Sequence, residues 1–148
     1  MNKILIYLDN CCFNRPYDAQ NKLSIYLETQ AKLSIQEMVK IDNLSLAWSF
    51  ILDFENSANP DEIVKQEIFC WKSFSSVVIN KSLNIVNKAK ELIEVGFGKK
   101  DALHVAAAIE GHVIFFITVD KGILRKRGLV NNVTICSPID FINLIEDN

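Results

Sequence analysis

The strongest constraint on this chain is a pair of unbroken apolar runs, Ile4 to Leu8 and Val113 to Ile117, each closely followed by an aspartate, Asp9 and Asp120. A half-exposed strand alternates apolar and polar residues, whereas a strand buried on both faces reads as a continuous apolar stretch. Both runs are therefore expected to be interior strands, with their aspartates at the carboxyl ends. Strands of that kind need helices above and below them, and the intervening sequence is helical in character. At 148 residues, 49% of them hydrophobic, the chain is long enough to bury roughly 70% of its unfolded surface, so neither disulfides nor a structural metal is required.

Spacing and punctuation fill in the rest. The first strand, Lys3 to Leu8, leads through the turn Asn14-Arg15-Pro16 to a helix over Leu23 to Val39. Leu44 to Trp48 is expected to be a second strand, followed by a short helix over Ser49 to Glu55. Asn59-Pro60-Asp61-Glu62 has the cap, early proline and acidic first turn of another helix start, running to about Trp71. Phe74 to Ile79 is apolar and ambiguous between helix and strand. Lys81 to Val95 predicts an amphipathic helix stopped by Gly96, and Lys99 to Glu110 an alanine-rich one closed by Gly111. After the strand Val113 to Ile117, a short helix over Asp120 to Arg127, a strand over Val133 to Cys136, and a Ser137-Pro138-Ile139-Asp140 capping box complete the pattern. The expectation is one domain over residues 1–148, a three-layer α/β/α sandwich around a mainly parallel sheet.

Composition excludes several classes. No apolar run approaches the roughly 20 residues that cross a bilayer, and the N-terminus lacks a signal-peptide pattern, so no membrane association and a cytoplasmic location are expected. Cys11 and Cys12 are adjacent while Cys70 and Cys136 stand apart, with no CxxC pair; free, mostly buried thiols are the expectation. The net charge of −2 excludes nucleic-acid binding through global positive charge. Locally, however, Lys121, Arg125, Lys126 and Arg127 against Asp120 leave the segment from Gly111 to Cys136 at +3.

In parallel sheets, functional groups gather at the carboxyl ends of the strands. Asp9 and Asp120 follow the first strand and the strand Val113 to Ile117, Glu55 follows the second strand and its short helix, and Asp101 opens the alanine-rich helix, so all four can converge on one edge. Clustered carboxylates raise one another's pKa, and a chain keeps them together chiefly where a divalent cation neutralises them. Oxygen-only ligation selects Mg2+ or Mn2+, and the chemistry that follows is metal-assisted hydrolysis of a phosphodiester. Taken one at a time, the carboxylates have plainer readings: Asp9 and Asp120 as turn or cap residues, Asp101 as a complement to a helix dipole.

Leu8-Asp9-Asn10, Glu55 within Leu52-Asp53-Phe54-Glu55, Lys100-Asp101-Ala102-Leu103-His104-Val105-Ala106 and Thr118-Val119-Asp120 resemble, in order and across nearly the whole chain, the acidic motifs of PIN-domain nucleases, which include VapC-type toxins. The Asp-Ala-Leu-His-x-Ala segment and the strand ending in Thr-x-Asp are its most specific parts. The resemblance implies an α/β/α sandwich, a Mg2+ or Mn2+ site at Asp9, Glu55, Asp101 and Asp120, endonucleolytic cleavage of RNA, and, for a toxin, a small antitoxin partner and a homodimer. It also implies that Thr118 supports the neighbouring aspartate. Asn10 stands where Thr or Ser is common, and Cys11-Cys12 is an unusual continuation. Asp53 is the substitute for Glu55 as second acidic residue.

Around this set, Lys121 and Arg125 lie one helical turn apart and can hold phosphates, with Arg15, Lys99 and Lys100 as further rim cations. A solvated helix surface is the equal alternative. Phe13, Tyr17, Trp48 and Trp71 are candidates for base stacking, although most aromatics in such a domain are core. His104 is expected to be a half-exposed structural residue and His112 a loop residue. Two histidines without HExxH give a zinc hydrolase no ligand set. The competing functions are a PIN-like RNA- or protein-binding module with weak or lost catalysis, and a phosphoacceptor receiver domain. The receiver reading lacks the adjacent acidic pair beside Asp9 that its metal needs.

Overall fold

The computed structural model describes residues 3–146. Its centre is a five-stranded, all-parallel sheet in the order β3-β2-β1-β4-β5, with β1 Leu5–Leu8, β2 Ser45–Ser49, β3 Val77–Ile79, β4 Phe115–Ile117 and β5 Thr134–Cys136. The helices are α1 Asn10–Asn14, α2 Leu23–Lys40, α3 Phe50–Ser57, α4 Glu62–Cys70, α5 Leu83–Glu94, α6 Lys99–Glu110, α7 Lys121–Arg125 and α8 Pro138–Glu146. The chain runs outward from β1 through β2 to β3, then recrosses the sheet to β4. With right-handed crossovers, that reversal puts the helices of the outward and return legs on opposite faces. Accordingly α5 packs on α6, and α2 packs on α8.

The carboxyl-terminal parts of both apolar runs are buried on both sides, with Ile6, Tyr7, Leu8, Phe116 and Ile117 having no exposed surface, while Ile4 and Ile114 nearer their starts are exposed. Tyr7 and Phe116 are register partners and their rings stack at 5.1 Å, facing α6. On the other face Trp48 meets Phe13 and Phe69, with centroids 5.5 and 6.5 Å away. The alanine run of α6 lets that helix lie close on the sheet, and Ala102, Ala106, Ala107 and Ala108 are fully buried there.

Local boundaries differ from the sequence reading for identifiable reasons. The expected turn at Asn14-Arg15-Pro16 is a 3-10 turn over Arg15–Tyr17, and before it lies an unexpected short helix, α1, started by Asp9, whose side chain accepts from the Asn10 N–H. Pro60 lies outside α4: Asp61 is the cap, accepting from Ile63 and Val64, while Asn59 instead accepts from the Asp61 N–H. The ambiguous stretch Phe74 to Ile79 begins at the last residue of a 3-10 turn, Trp71–Phe74, and ends in the edge strand β3. Ser137 caps α8 as expected, accepting from the Asp140 N–H at 3.1 Å. Among the described residues no helix is long and apolar enough to cross a membrane.

Candidate active site

The strand order reverses between β1 and β4, and the crevice outside their carboxyl ends is where a doubly wound sheet offers a site. Asp9 and Thr118 lie side by side there, because Leu8 pairs with Ile117 and the Asp9 N–H continues the ladder to the Ile117 carbonyl. Thr118 Oγ1 donates to Asp9 Oδ2 at 2.8 Å and accepts from the Asp120 N–H at 3.0 Å, so one hydroxyl ties the ends of both motifs together. Asp9 is 6% exposed; its Oδ1 accepts from the Asn10 N–H, and the Cys11 thiol lies 3.4 Å from Oδ2.

Glu55 reaches the same crevice from α3, which starts at Ser49 immediately after β2. It hydrogen-bonds to His104 Nε2, which is 3.6 Å from Asp9 Oδ1. Asp101 enters from the first turn of α6, and Asp120 caps α7 through an Oδ1 contact with the Ile123 N–H at 3.1 Å. The plain cap reading of Asp9 and Asp120 is thus met by one oxygen of each, which leaves their place at the crevice intact.

The electrostatics make the four carboxylates one group. Burial raises the Asp101 pKa, and the negative charges of Asp120, Asp9 and Glu55 raise it further. Glu55 moves the other way: burial works against its charge, but the bond to His104, the imidazole's charge and that of Lys100 hold its pKa below the usual carboxylate value. His104 is raised, because the pull of Asp9 and Glu55 outweighs the burial that opposes it. By donor chemistry and uncompensated charge these residues fit a hard divalent cation. As the side chains are placed, no three His, Cys, Asp or Glu groups among the described residues close around an ion, so a cation would have to draw the carboxylates together.

Asp53 is elsewhere. Its carboxylate accepts from Trp48 Nε1 at 2.8 Å and pairs with Lys72 at 3.1 Å, on the opposite side of α3 from Glu55's partners. Lys121 and Arg125 are exposed on α7 and line a shallow depression with Leu124 and Arg127. Lys99 and Lys100 are exposed at the start of α6. Arg15 is paired with Asp18 at 3.0 Å and Glu28 at 3.7 Å. Phe13 and Trp48 are core residues, and Tyr17 hydrogen-bonds to Glu67.

The largest departure from the sequence reading is His104, which is 1% exposed rather than half-exposed. Its Nδ1 meets the Tyr7 hydroxyl at 2.5 Å, and that hydroxyl meets Ser49 Oγ at 2.6 Å. Sequence reasoning passed over Tyr7 and Ser49. The available signal was a tyrosine inside a wholly buried strand, whose hydroxyl must find a partner.

No family model matches the sequence, and no curated protein does. Among solved structures, the chain is similar to one from the crystal structure of VapBC2 of Rickettsia felis bound to a DNA fragment from its promoter. The TM-score is 0.57 and the identity 16%, over 90% of this chain and 98% of that one. The likeness, with the all-parallel sheet and its helical layers, shows a PIN-like α/β/α fold.

Proposed function

We propose that this chain is a metal-dependent endoribonuclease of the PIN type, with Asp9, Glu55, Asp101 and Asp120 holding Mg2+ or Mn2+. The observation that carries the reading is the placement of four carboxylates, from two strand ends, one helix and one helix start, close enough that the charges of Asp120, Asp9 and Glu55 add to the burial that raises the Asp101 pKa. A bound cation would supply water activation and neutralise charge on the leaving oxygen. Thr118 holds Asp9 in orientation through the 2.8 Å bond. Lys121 and Arg125, with Lys99 and Lys100 on the adjoining rim, bind the phosphates on either side of the cleaved bond. His104 and the buried wall behind it exclude bulk water from the inner edge of the crevice.

A small antitoxin partner is the finer part of the proposal, supported by the fold shared with a chain of the VapBC2 complex. The test is cleavage of a panel of structured and single-stranded RNAs in Mg2+, in Mn2+ and in EDTA, with Asp101→Asn as control. Metal-dependent cutting that the substitution abolishes is the expected result. Folded protein that binds RNA but cuts none of the panel, with or without metal, would replace the nuclease reading with that of a binding module.

A further inference from the structure

Behind the carboxylates lies a polar chain that the nuclease reading does not itself require. Ser49 Oγ accepts from the Leu52 N–H at 3.3 Å as the cap of α3, and bonds to the Tyr7 hydroxyl. Tyr7 bonds in turn to His104 Nδ1, and His104 Nε2 bonds to Glu55. Ser49, Tyr7 and His104 are all buried in an otherwise apolar core, on β2, β1 and α6. Burying three polar side chains is costly unless every group is paired, and here each one is.

The chain has a direction. A ring nitrogen facing an ionised carboxylate must carry a proton, so Nε2 donates to Glu55 whatever the state of Nδ1. The ring cannot turn, because Nδ1 is held by Tyr7 and the ring lies edge-on to the tyrosine at 5.7 Å. Glu55 itself sits on a helix of eight residues at the rim, half-buried, where a free glutamate would sample several rotamers.

We infer that His104 is the positioning residue of this site: locked through Tyr7 and Ser49, it fixes the Glu55 carboxylate beside Asp9 in the orientation that receives a cation. The inference rests on the proposed reading of the four carboxylates as a metal site. Residues that orient metal ligands in this way typically govern affinity by about 10–100-fold when removed.

Two substitutions separate positioning from packing. In His104→Gln the side-chain amide stands near the place of Nε2 and keeps a donor for Glu55. In His104→Asn the amide stands near the place of Nδ1, so it keeps the Tyr7 contact and falls short of Glu55. Mn2+ titration into folded protein is expected to show H104N weakened by about 10–100-fold and H104Q retaining most of the wild-type affinity. Glu55→Gln should weaken binding too, and E55Q with H104N should be no weaker than E55Q alone, because the histidine acts through the glutamate. Equal losses in H104N and H104Q, or additive losses in the double variant, would overturn the inference.

A second readout needs no metal. Long-range proton–nitrogen NMR spectra of the metal-free protein should show a protonated, exchange-protected Nε2 whose proton signal shifts in E55Q. An unprotonated Nε2, or a ring averaging between tautomers, would overturn the anchoring of Glu55. Wild-type protein that binds no Mn2+ would overturn the metal reading on which the inference rests, while the ring spectrum would still decide whether His104 anchors Glu55.

Discussion

Asp53 and Glu55 are separated by one residue on α3, and that interval turns them about 200° apart around the helix axis. One therefore faces Trp48 and Lys72 while the other faces His104 and Asp9. The predicted consequences are opposite in kind. Asp53→Ala leaves the Trp48 indole N–H without its acceptor and should cost about 1–3 kcal/mol of stability, read from denaturant unfolding, with RNA cleavage retained. Glu55→Gln should abolish cleavage with little change in unfolding. Sequence alone left Asp53 as a substitute for Glu55, because both lie on one short helix and which face of it meets the crevice is set by tertiary packing.

Lys32 is a second residue whose role the sequence concealed. It is 3% exposed in the middle of α2, with its ammonium 5.6 Å from the centre of the Phe13 ring, and burial lowers its pKa to about 8. The unfolded chain holds this proton up to about 10.4, so between about pH 8 and 10.4 the unfolded state binds more protons and stability rises with pH. Below pH 8 the full cost of charging the buried amine is present. Lys32→Met should therefore stabilise the protein at pH 7 by up to about 3 kcal/mol, an advantage that shrinks as pH rises through this window. Thermal unfolding of both proteins across pH 7 to 10 measures it.

Among the elements, β1 and β4 were legible because a both-faces-buried run is continuously apolar, whereas the three-residue edge strand β3, with Val78 exposed, was not; α5, α6 and α8 were legible because their glycines and caps mark their ends. Of the short helices, α3 and α7 were legible and α1 was not. A five-residue helix such as α1 has too few positions for a period to show, and its start depends on Asp9, a residue equally at home ending a strand. Pro60 misled in a different way: a proline is compatible with a first helical turn, but Asp61 supplies two cap bonds one residue later and sets the start there. Gly96, read as the stop of α5, proves necessary at that point, since its φ is +115. Gly96→Ala should destabilise the protein by about 1–3 kcal/mol through backbone strain, its new methyl group meeting nothing closer than Lys126 Cε at 4.0 Å. A lowered midpoint with an unchanged denaturant slope is the expected signature.

At the scale of the whole molecule, the site exists because the chain reverses its direction of travel across the sheet. The outward leg delivers Asp9 and Glu55, the return leg delivers Asp101 and Asp120, and the reversal between β1 and β4 is where the two sets meet. Sequence order made that convergence legible, since each carboxylate followed a strand or opened a helix. It could not show the buried support, because the contacts among Ser49, Tyr7 and His104 span 42 and 97 residues and no local spacing encodes them. In the proposed function the four carboxylates together form one cation site. The most direct test is a crystal structure of the protein soaked in Mn2+, with data collected at a wavelength where manganese scatters anomalously. An anomalous peak bounded by Asp9, Glu55, Asp101 and Asp120 is the expected result, with no such peak in Asp101→Asn. A well-ordered crystal with manganese bound elsewhere, and none among these carboxylates, would contradict it.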